Sequence, residues 1–427
     1  MTETATRKHW EVEQGMEPGG QHYRAGLIGC GRMSRHHIPA LMATPGVELV
    51  ALADPYQPAL DERGEQFGVA SEHRYADYRE MLDRESLDIV TISTQAPEHA
   101  PATLSCVDAG VRGVLCEKPI ALSLAEADEM VAACDRTGMK LAINHQTRIS
   151  LATYRAEELI QSGAIGEFVG VRIVDKGGRP AGNSLMEMAT HLFDHTRLYA
   201  GDPTWVAAHL TDAEPDGHRR PSTVDDIMYS QTAWPADRDC GLVLGSRATA
   251  VFGFGPASLH NGLEASFVSY NQPGDKSWPD QLELIGIEGV LALRTSGESD
   301  LFLHRGAWGA PVQFEPVLTG ADAQHTEPVL PAGLAPERVT GRLGSFVAML
   351  TELKAAIEED RPHRSDVRDG RWALDMIMGV YESHRQNGAR VALPLPQREH
   401  PLERWLNDEG RPMPHHPEPT WGGGIPA

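Results

Sequence analysis

The chain has 427 residues, 41% of them hydrophobic, and this length exceeds what one hydrophobic core usually serves, so two domains are expected. Its 60 acidic residues outnumber its 38 basic ones, for a formal net charge of −22 at pH 7. Such acidity repels phosphate backbones and anionic lipids, so we expect no nucleic-acid partner and no membrane partner. No apolar run approaches the roughly 18 residues of a membrane span, and residues 1–20 lack a signal-peptide pattern, which favours a cytoplasmic protein.

The number and spacing of the cysteines also favour a cytoplasmic protein. The five cysteines are scattered and form no C-x-x-C pair: Cys30, Cys106, Cys116, Cys134 and Cys240. An odd number without paired spacing argues against a disulfide framework or a thiolate zinc site, and buried thiols are expected instead.

Residues 21–148 alternate short apolar runs with helical patterns, after a polar segment at 1–20 that is predicted to be a disordered tail. This alternation is typical of an α/β fold with a doubly wound parallel sheet. The predicted strands are Ala25 to Ile28, Val47 to Ala53, Leu87 to Ser93, Gly113 to Cys116 and Lys140 to Asn144. A capping box at Ser123 and Glu126 predicts the start of one intervening helix, which ends near Gly138.

Residues 149–397 follow a different pattern, which predicts a second domain. Several β-like runs separated by Gly, Pro and Asp turns predict one large, mainly antiparallel sheet. The predicted helices are Leu151 to Gln161, Leu185 to Tyr199, Gly344 to Glu358 and Asp369 to Gln386. Residues 398–427 are predicted to be an irregular tail.

A glycine-rich turn, from Gly29 through Gly31, Arg32 and Met33 to Ser34, follows the first predicted strand and opens a predicted helix. In that context glycines let backbone N–H groups approach a pyrophosphate at a helix N-terminus. Ser34 replaces the third glycine of the usual pattern, at a position that affects helix–strand packing rather than phosphate approach.

Asp54 ends the second predicted strand, 23 residues after Gly31. A carboxylate there can accept hydrogen bonds from an adenosine ribose and would repel a 2′-phosphate, which favours NAD over NADP. The alternative is a turn aspartate, because Asp54 precedes Pro55 and this dipeptide commonly starts turns.

Glu117, Lys118 and Pro119 directly follow an apolar strand, at the carboxyl end of the parallel sheet, where ligands bind in this fold class. A lysine there can polarise a substrate hydroxyl or carbonyl. The alternative is an ordinary solvated surface lysine.

Glu187, His191 and Asp194 are spaced by four and three residues, so they share one face of a helix predicted to begin at Ser184. An imidazole suits removal of a proton from a hydroxyl while hydride leaves the same carbon. Alternatively Glu187 forms a capping box with Ser184, His191 is an interior histidine, and Asp194 is an exposed acid. No second histidine stands at ligand spacing, so no metal is expected.

These motifs, in this order between Arg24 and Pro394, resemble the Gfo/Idh/MocA family of oxidoreductases. The resemblance implies an N-terminal Rossmann domain and a C-terminal α/β domain whose open sheet serves homo-oligomerisation, as a dimer or tetramer. Three positions depart from the family pattern: Ser34, the pair Gln95 and Ala96 after Thr94, and Glu187, which is longer than the usual aspartate.

The resemblance also implies residue roles. Lys118 would orient the reacting hydroxyl, His191 would be the general base supported by Glu187, and Asp194 would hydrogen-bond the substrate. Lys176 is a further candidate for substrate contact. Cofactor contacts would come from Gly29, Gly31, Arg32, Met33, Asp54, Thr94, His99, Glu117, Lys118 and Asn144.

The sequence thus predicts NAD-dependent hydride transfer to or from a secondary alcohol carbon of a sugar, sugar derivative or cyclitol. Two alternatives stay open. One is a redox-neutral glycosidase that oxidises its substrate transiently with retained NAD. The other is a non-catalytic nicotinamide-binding protein, against which the lysine and histidine argue.

Overall fold

The structure is a computed structural model, and it describes residues 22–175, 179, 181–233, 239–270, 281–294, 301–306, 313–318 and 341–417. The tail predicted at 1–20 and the candidate Lys176 lie outside these residues. Within the described ranges, no helix combines the length and the apolar character needed to cross a membrane. All five cysteines are free and buried, as the sequence predicts.

The first sheet is parallel and six-stranded, which confirms the predicted doubly wound fold. Its strand order is β3-β2-β1-β4-β5-β6, so the order reverses between β1 and β4. The strands are β1 (Tyr23–Ile28), β2 (Val47–Ala53), β3 (Arg74–Tyr75), β4 (Ile89–Ile92), β5 (Gly113–Cys116) and β6 (Lys140–Ile143). In such a sheet, ligands bind outside the carboxyl ends of the strands at the point of reversal.

Helices connect the strands of this sheet. They are α1 (Ser34–Ala43), α2 (Gln57–Phe67), α3 (Tyr78–Glu85), α4 (His99–Asp108) and α5 (Leu124–Thr137). The predicted capping box of α5 is present, since Ser123 Oγ accepts the Glu126 N–H and Glu126 accepts the Ser123 N–H. Gly138 ends that helix with φ 79°, a conformation that glycine adopts without strain.

The second sheet is mixed and mainly antiparallel, as predicted, with the order β17-β16-β15-β14-β7-β13-β12-β8-β18 and β9 paired to β8. Only β7 and β13 run parallel among its described strand pairs. Its strands are β7 (Phe168–Asp175), β8 (Trp205–Ala213), β9 (Arg219–Pro221), β12 (Arg247–Gly253), β13 (Glu264–Tyr270), β14 (Gln281–Gly286), β15 (Gly289–Arg294), β16 (Leu301–Arg305), β17 (Glu315–Leu318) and β18 (Val391–Ala392). A separate pair consists of β10 (Met228–Tyr229) and β11 (Leu242–Val243).

The remaining helices include one that returns to the first sheet. They are α6 (Leu151–Gln161), α7 (Ala181–Ser184), α8 (Thr190–Ala200), α9 (Ser230–Ala233), α10 (Gly341–Glu358), α11 (Val367–Arg385) and α12 (Pro401–Asp408). In α10, Phe346 and Leu350 are fully buried in one core cluster with Tyr23, Leu27 and Leu41. Thus α10 completes the core on one face of the parallel sheet.

The structure differs from the sequence predictions in three places. The run from Ile227 to Thr232 is a two-residue strand followed by α9, not one strand. Residues 398–427 are not wholly irregular, because α12 begins at Pro401 after His400 accepts the Leu402 N–H as its cap. The helix predicted from Leu185 to Tyr199 starts with a π-helical segment, Leu185–Ala189, before α8.

Candidate active site

The glycine-rich turn lies between β1 and α1, beside the end of β4. Gly29 has φ 98°, and a Cβ there would lie 2.8 Å from the carbonyl carbon of Ser93 and the nitrogen of Thr94. A Cβ on Gly31 would meet nothing within 4 Å. The turn is therefore closely packed at Gly29 and open at Gly31. Backbone N–H groups at the N-terminus of α1 can bind an anion on the open side.

Ser34, the replacement for the third glycine, is fully buried at the start of α1. Its hydroxyl donates to the Gly31 carbonyl at 2.6 Å and accepts from Arg63 Nε at 3.0 Å. The serine thus ties the glycine-rich turn to α2 through Arg63.

Asp54 makes the backbone contacts of a turn aspartate, and its role toward a ribose stays a prediction. Its Oδ2 accepts the Cys30 N–H at 2.6 Å and its Oδ1 accepts the Tyr56 N–H at 2.7 Å. Burial raises the pKa of Asp54 against the lowering effect of these two backbone donors. One carboxylate therefore forms the turn after β2 and holds the glycine-rich turn, at the position from which a ribose would be contacted.

Glu117 lies behind the site rather than at its surface. Its buried Oε1 accepts from Asn144 Nδ2 at 2.8 Å and faces His37 Nε2 at 3.0 Å. Among the described atoms, Asn144 Oδ1 is buried without a hydrogen-bond partner. Glu117 thus orients Asn144, which keeps an acceptor for a further donor.

His99 joins two loops at the strand ends. One ring nitrogen lies 2.7 Å from the Pro119 carbonyl and the other 3.3 Å from the Thr94 carbonyl. Thr94 Oγ1 is buried and lacks a hydrogen-bond partner within the described part of the chain. His99 therefore fixes the position of Thr94, whose hydroxyl is available to a ligand.

Lys118 reaches across to the second domain. Its Nζ donates to the backbone carbonyl of Glu187 at 2.6 Å. The half-buried lysine lines a narrow cleft between the parallel sheet and the π-helical segment. The lining residues of this cleft are Thr94, Ala96, His99, Lys118, Pro119, Glu187, Asp239 and Cys240. The alternative of a solvated surface lysine is wrong.

Glu187 lies in the π-helical segment, and its carboxylate does not cap a helix. Ser184 has helical dihedrals and makes no side-chain capping bond, so the capping-box interpretation is wrong. Glu187 Oε2 instead accepts from Arg179, while its buried Oε1 has no described partner. The backbone oxygen of Glu187 holds Lys118, and its carboxylate binds an arginine.

His191 is the second residue of α8, directly after the π-helical segment, and it is 8% exposed. Burial first, then His145 and Lys118, hold the pKa of His191 well below its ordinary value. Its Nδ1 is buried with no partner in the described structure. The imidazole is therefore neutral at physiological pH, the protonation state that a general base requires.

Asp194 lies behind His191, away from the cleft, with no exposed surface. Its Oδ2 accepts from Arg148 Nε at 2.7 Å, and its Oδ1 lies 3.6 Å from His145 Nδ1. Although burial raises it, Arg148 and His145 hold the pKa of Asp194 well below its ordinary value. The ring of His145 packs edge-on against His191, with centroids 5.3 Å apart. Asp194 Oδ1 is buried and has no hydrogen-bond partner among the described groups.

The arrangement offers contacts for a dinucleotide. The open side of Gly31, the carboxylate of Asp54 and the unpartnered polar atoms of Thr94 and Asn144 offer the contacts that a dinucleotide needs. Arg32, exposed, and Met33, half-buried, continue from the turn into α1. No group of three His, Cys, Asp or Glu side chains within the described ranges is placed to hold a metal ion.

Sequence reasoning missed four residues of this region. His145 directly follows Asn144 after β6, and Arg148 lies three residues later, so their place after a parallel strand was a usable signal. Arg179 and Asp239 lie in stretches without periodicity, and no local pattern marks either of them.

Comparisons with known proteins agree with this geometry. Residues 23–145 match the model of the GFO_IDH_MocA oxidoreductase family, described as an NAD-binding Rossmann fold. The region that forms the parallel sheet is therefore similar to this family. The resemblance noted in the sequence is thereby confirmed.

Individual relatives match over parts of the chain. D-apiose dehydrogenase from Paraburkholderia graminis is 36% identical over 199 residues, which cover 44% of this chain and 52% of that protein. Myo-inositol 2-dehydrogenase from Thermotoga maritima is 27% identical over 187 residues, which cover 42% and 55%. The chain thus spans about half the length of the curated relatives it matches.

A solved structure shows the same fold over most of the chain. Levoglucosan dehydrogenase in complex with NADH has a TM-score of 0.69 and 22% identity, and the match covers 88% of this chain and all of that one. The fold of that protein is therefore similar to this one in both the parallel-sheet region and the region of the second sheet.

Proposed function

We propose that the protein is an NAD-dependent oxidoreductase that acts on a secondary alcohol carbon of a sugar, sugar derivative or cyclitol. The observation that carries this proposal is a cleft lined by Lys118 and Thr94, in which Lys118 donates to the Glu187 carbonyl just before the helix of His191 and Thr94 abuts the glycine-rich turn. The substrates named for the apiose, inositol and levoglucosan dehydrogenases support this substrate class.

Binding of the cofactor would fall to the turn and its surroundings. Gly29 and Gly31 would receive the pyrophosphate, Asp54 the adenosine ribose, and Thr94 and Asn144 the nicotinamide half. Bound there, NAD supplies the acceptor for the hydride that leaves the alcohol carbon. The carboxylate of Asp54 favours NAD over NADP because it repels a 2′-phosphate.

Lys118 and His191 would carry the proton chemistry. Oxidation removes a hydride from carbon and a proton from the hydroxyl, leaving a ketone. The ammonium of Lys118 would donate a hydrogen bond to the hydroxyl oxygen and orient it, held in place by the Glu187 carbonyl. The neutral imidazole of His191 would take the proton. Asp194 and His145 would support His191 from behind, so we assign Asp194 a supporting role rather than a substrate contact.

The test is absorbance of NADH when the purified protein is mixed with NAD, then with NADP, and a panel of sugars, sugar acids, glycosides and inositols. We expect net NADH with a neutral polyol and NAD. Lys118→Ala and His191→Ala should each lower kcat by about a hundredfold or more while NAD binding persists. Unchanged rates in both variants would contradict the proposal, and glycoside cleavage without NADH would favour the glycosidase.

We also propose that the protein is a cytoplasmic homo-oligomer that associates through the large sheet. Val169 on β7 and Ile287 after β14 are exposed, at 44% and 63%. Five buried free cysteines support a reducing compartment. Light scattering on the purified protein tests the oligomer, and Val169→Lys with Ile287→Lys should dissociate it into monomers.

A further inference from the structure

The cleft has a second acidic side chain to which the proposed reaction gives no role. Asp239 lines the cleft together with Thr94, Lys118 and Glu187. It comes from the stretch between β10 and β11, far from those residues in sequence. Its side chain is 8% exposed, so the contacts that hold it decide where its carboxylate points.

The backbone of Asp239 is attached to the first domain. Its N–H donates to Gln95 Oε1 at 2.8 Å, and its carbonyl accepts the Ala96 N–H at 3.3 Å. Gln95 and Ala96 directly follow Thr94, and they are the two residues that depart from the family pattern there. Gln95 and Ala96 therefore hold an aspartate from the second domain at a cleft that Thr94 also lines.

The side chain of Asp239 is oriented by its own loop and by the C-terminal tail. Its Oδ1 accepts the Gly241 N–H at 3.0 Å, and its Oδ2 accepts from His416 Nε2 at 2.8 Å. The ring of His416 packs against the ring of Tyr229, with centroids 4.4 Å apart. The tail after α12 thus contacts, through His416, a residue that lines the cleft.

The cleft also offers polar atoms without partners. Thr94 Oγ1 and Glu187 Oε1 are buried, and neither has a hydrogen-bond partner among the described groups. Both can accept a hydrogen bond, and a carboxylate at Asp239 adds more acceptor sites. Such a set matches a ligand with several hydroxyl donors. Because Asp239 adds negative charge beside Lys118, it disfavours a ligand that carries a carboxylate.

We propose that Asp239 is a substrate-binding residue that accepts a hydrogen bond from a hydroxyl of the polyol, and that His416 is a positioning residue that orients this carboxylate. The inference rests on the proposed function and deepens it. It adds a specificity for uncharged polyhydroxylated substrates over the corresponding sugar acids. It also makes the C-terminal tail part of the substrate site.

Kinetics of Asp239→Asn and Asp239→Ala test the substrate contact, with the polyol that gives the highest kcat/KM in the NADH panel. We expect KM to rise about tenfold or more and kcat to change less, since a hydrogen bond to a charged group is lost. The preference for that polyol over its sugar acid should also fall in Asp239→Asn. Fluorescence titration should show unchanged NAD affinity. Asp360→Asn is the matched control, because Asp360 pairs with Lys140 at the surface and does not line the cleft. An unchanged KM in both Asp239 variants would overturn the contact.

Variants of His416 test the positioning role. His416→Ala should raise KM, and His416→Gln should restore part of it because an amide N–H can still reach the carboxylate. The exposed His415→Ala is the control. Hydrogen–deuterium exchange of residues 239–243 should be faster in His416→Ala than in the wild-type protein, and unchanged in His415→Ala. This difference should not depend on whether substrate is being oxidised. Unchanged exchange would overturn the tail contact. Absence of polyol oxidation by the wild-type protein would instead overturn the proposed function.

Discussion

His145 Nδ1 lies 3.6 Å from Asp194 Oδ1, and neither side chain has any exposed surface. The other nitrogen of His145 lies 2.9 Å from Thr190 Oγ1, which orients the ring, while Nδ1 has no hydrogen-bond partner among the described groups. The ring of His145 packs edge-on against His191, the candidate base. His145 therefore lies next to both His191 and Asp194. In addition to burial, a buried histidine that does not line the cleft thus lowers the pKa of His191 in part, as does Lys118.

Replacement of His145 by glutamine should raise the pKa of His191. Burial is the largest cause of the depressed pKa of His191, and His145 is the next, so part of the depression should disappear. A base must be neutral, so the acid limb of the kcat/KM profile should move to higher pH. The measurement is the pH dependence of polyol oxidation. His73→Gln is the control, since its half-exposed ring pairs with Glu85 far from the cleft. An acid limb that stays in place would exclude this electrostatic link.

Arg148→Ala should destabilise the protein strongly. Arg148 is buried, and its guanidinium pairs with Asp194 and Asp369; its loss leaves the buried carboxylate of Asp194 without a guanidinium, whereas Asp369 keeps Arg197. Removal of one member of a buried pair costs about 3–5 kcal/mol of unfolding free energy. Urea denaturation measures this change. Arg155→Ala should cost less than about 1 kcal/mol, since its pair with Glu158 is exposed. Equal effects of the two variants would contradict the role of burial.

The protein should lose stability between about pH 6.5 and pH 4. Burial lowers the pKa of His195 and of His400 to about 4, below the ordinary value near 6.5. The unfolded chain therefore binds protons in this range that the folded chain does not, and stability falls as pH falls. Each histidine accounts for about 3 kcal/mol by pH 4. Melting temperatures measured from pH 7 to pH 4 test this expectation.

Replacement of the helix-capping residue His400 separates its contribution to the acid-induced loss of stability from that of His195. Since His400 Nδ1 accepts the Leu402 N–H at the start of α12, His400→Asn keeps a capping acceptor and removes the titrating ring. The acid-induced decrease in melting temperature should become smaller in this variant. His415→Asn, at an exposed position, should leave it unchanged. A full acid response in His400→Asn would assign the effect to other groups.

Asp54→Asn should weaken the preference for NAD over NADP. The amide keeps an oxygen for one backbone N–H but removes the charge that repels a 2′-phosphate. The ratio of kcat/KM for the two nucleotides should fall by about tenfold or more. Asp61→Asn on α2 is the control, as its half-exposed carboxylate pairs with Arg74. An unchanged ratio would show that groups other than Asp54 set the nucleotide preference.

Much of the site could be predicted because the parallel sheet gathers residues by a simple rule. Asp54, Thr94 and Lys118 each follow a strand, and carboxyl ends of parallel strands meet at one edge, so sequence position alone placed them together. The π-helical segment could not be predicted this way. Spacing assigns Glu187 and His191 to one face of a regular helix, whereas the inserted residue of a π turn depends on tertiary contacts.

Two hydrogen-bond partners of site residues also could not be predicted from the sequence. Arg179 binds Glu187 from a stretch without periodicity, and His416 binds Asp239 across most of the second domain. Hydrogen-bond pairs of this kind depend on the final packing, since nothing in the local sequence of either partner specifies the other.

The return of α10 to the parallel sheet has a consequence for how the chain is made. Phe346 and Leu350 cover apolar groups on β1 and α1 that leave the ribosome long before them. That face of the nucleotide-binding half stays open to chaperones and to aggregation until the large sheet has been synthesised. A fragment that ends after β6 would retain this open face, and a useful truncated version would need α10 grafted back by a linker.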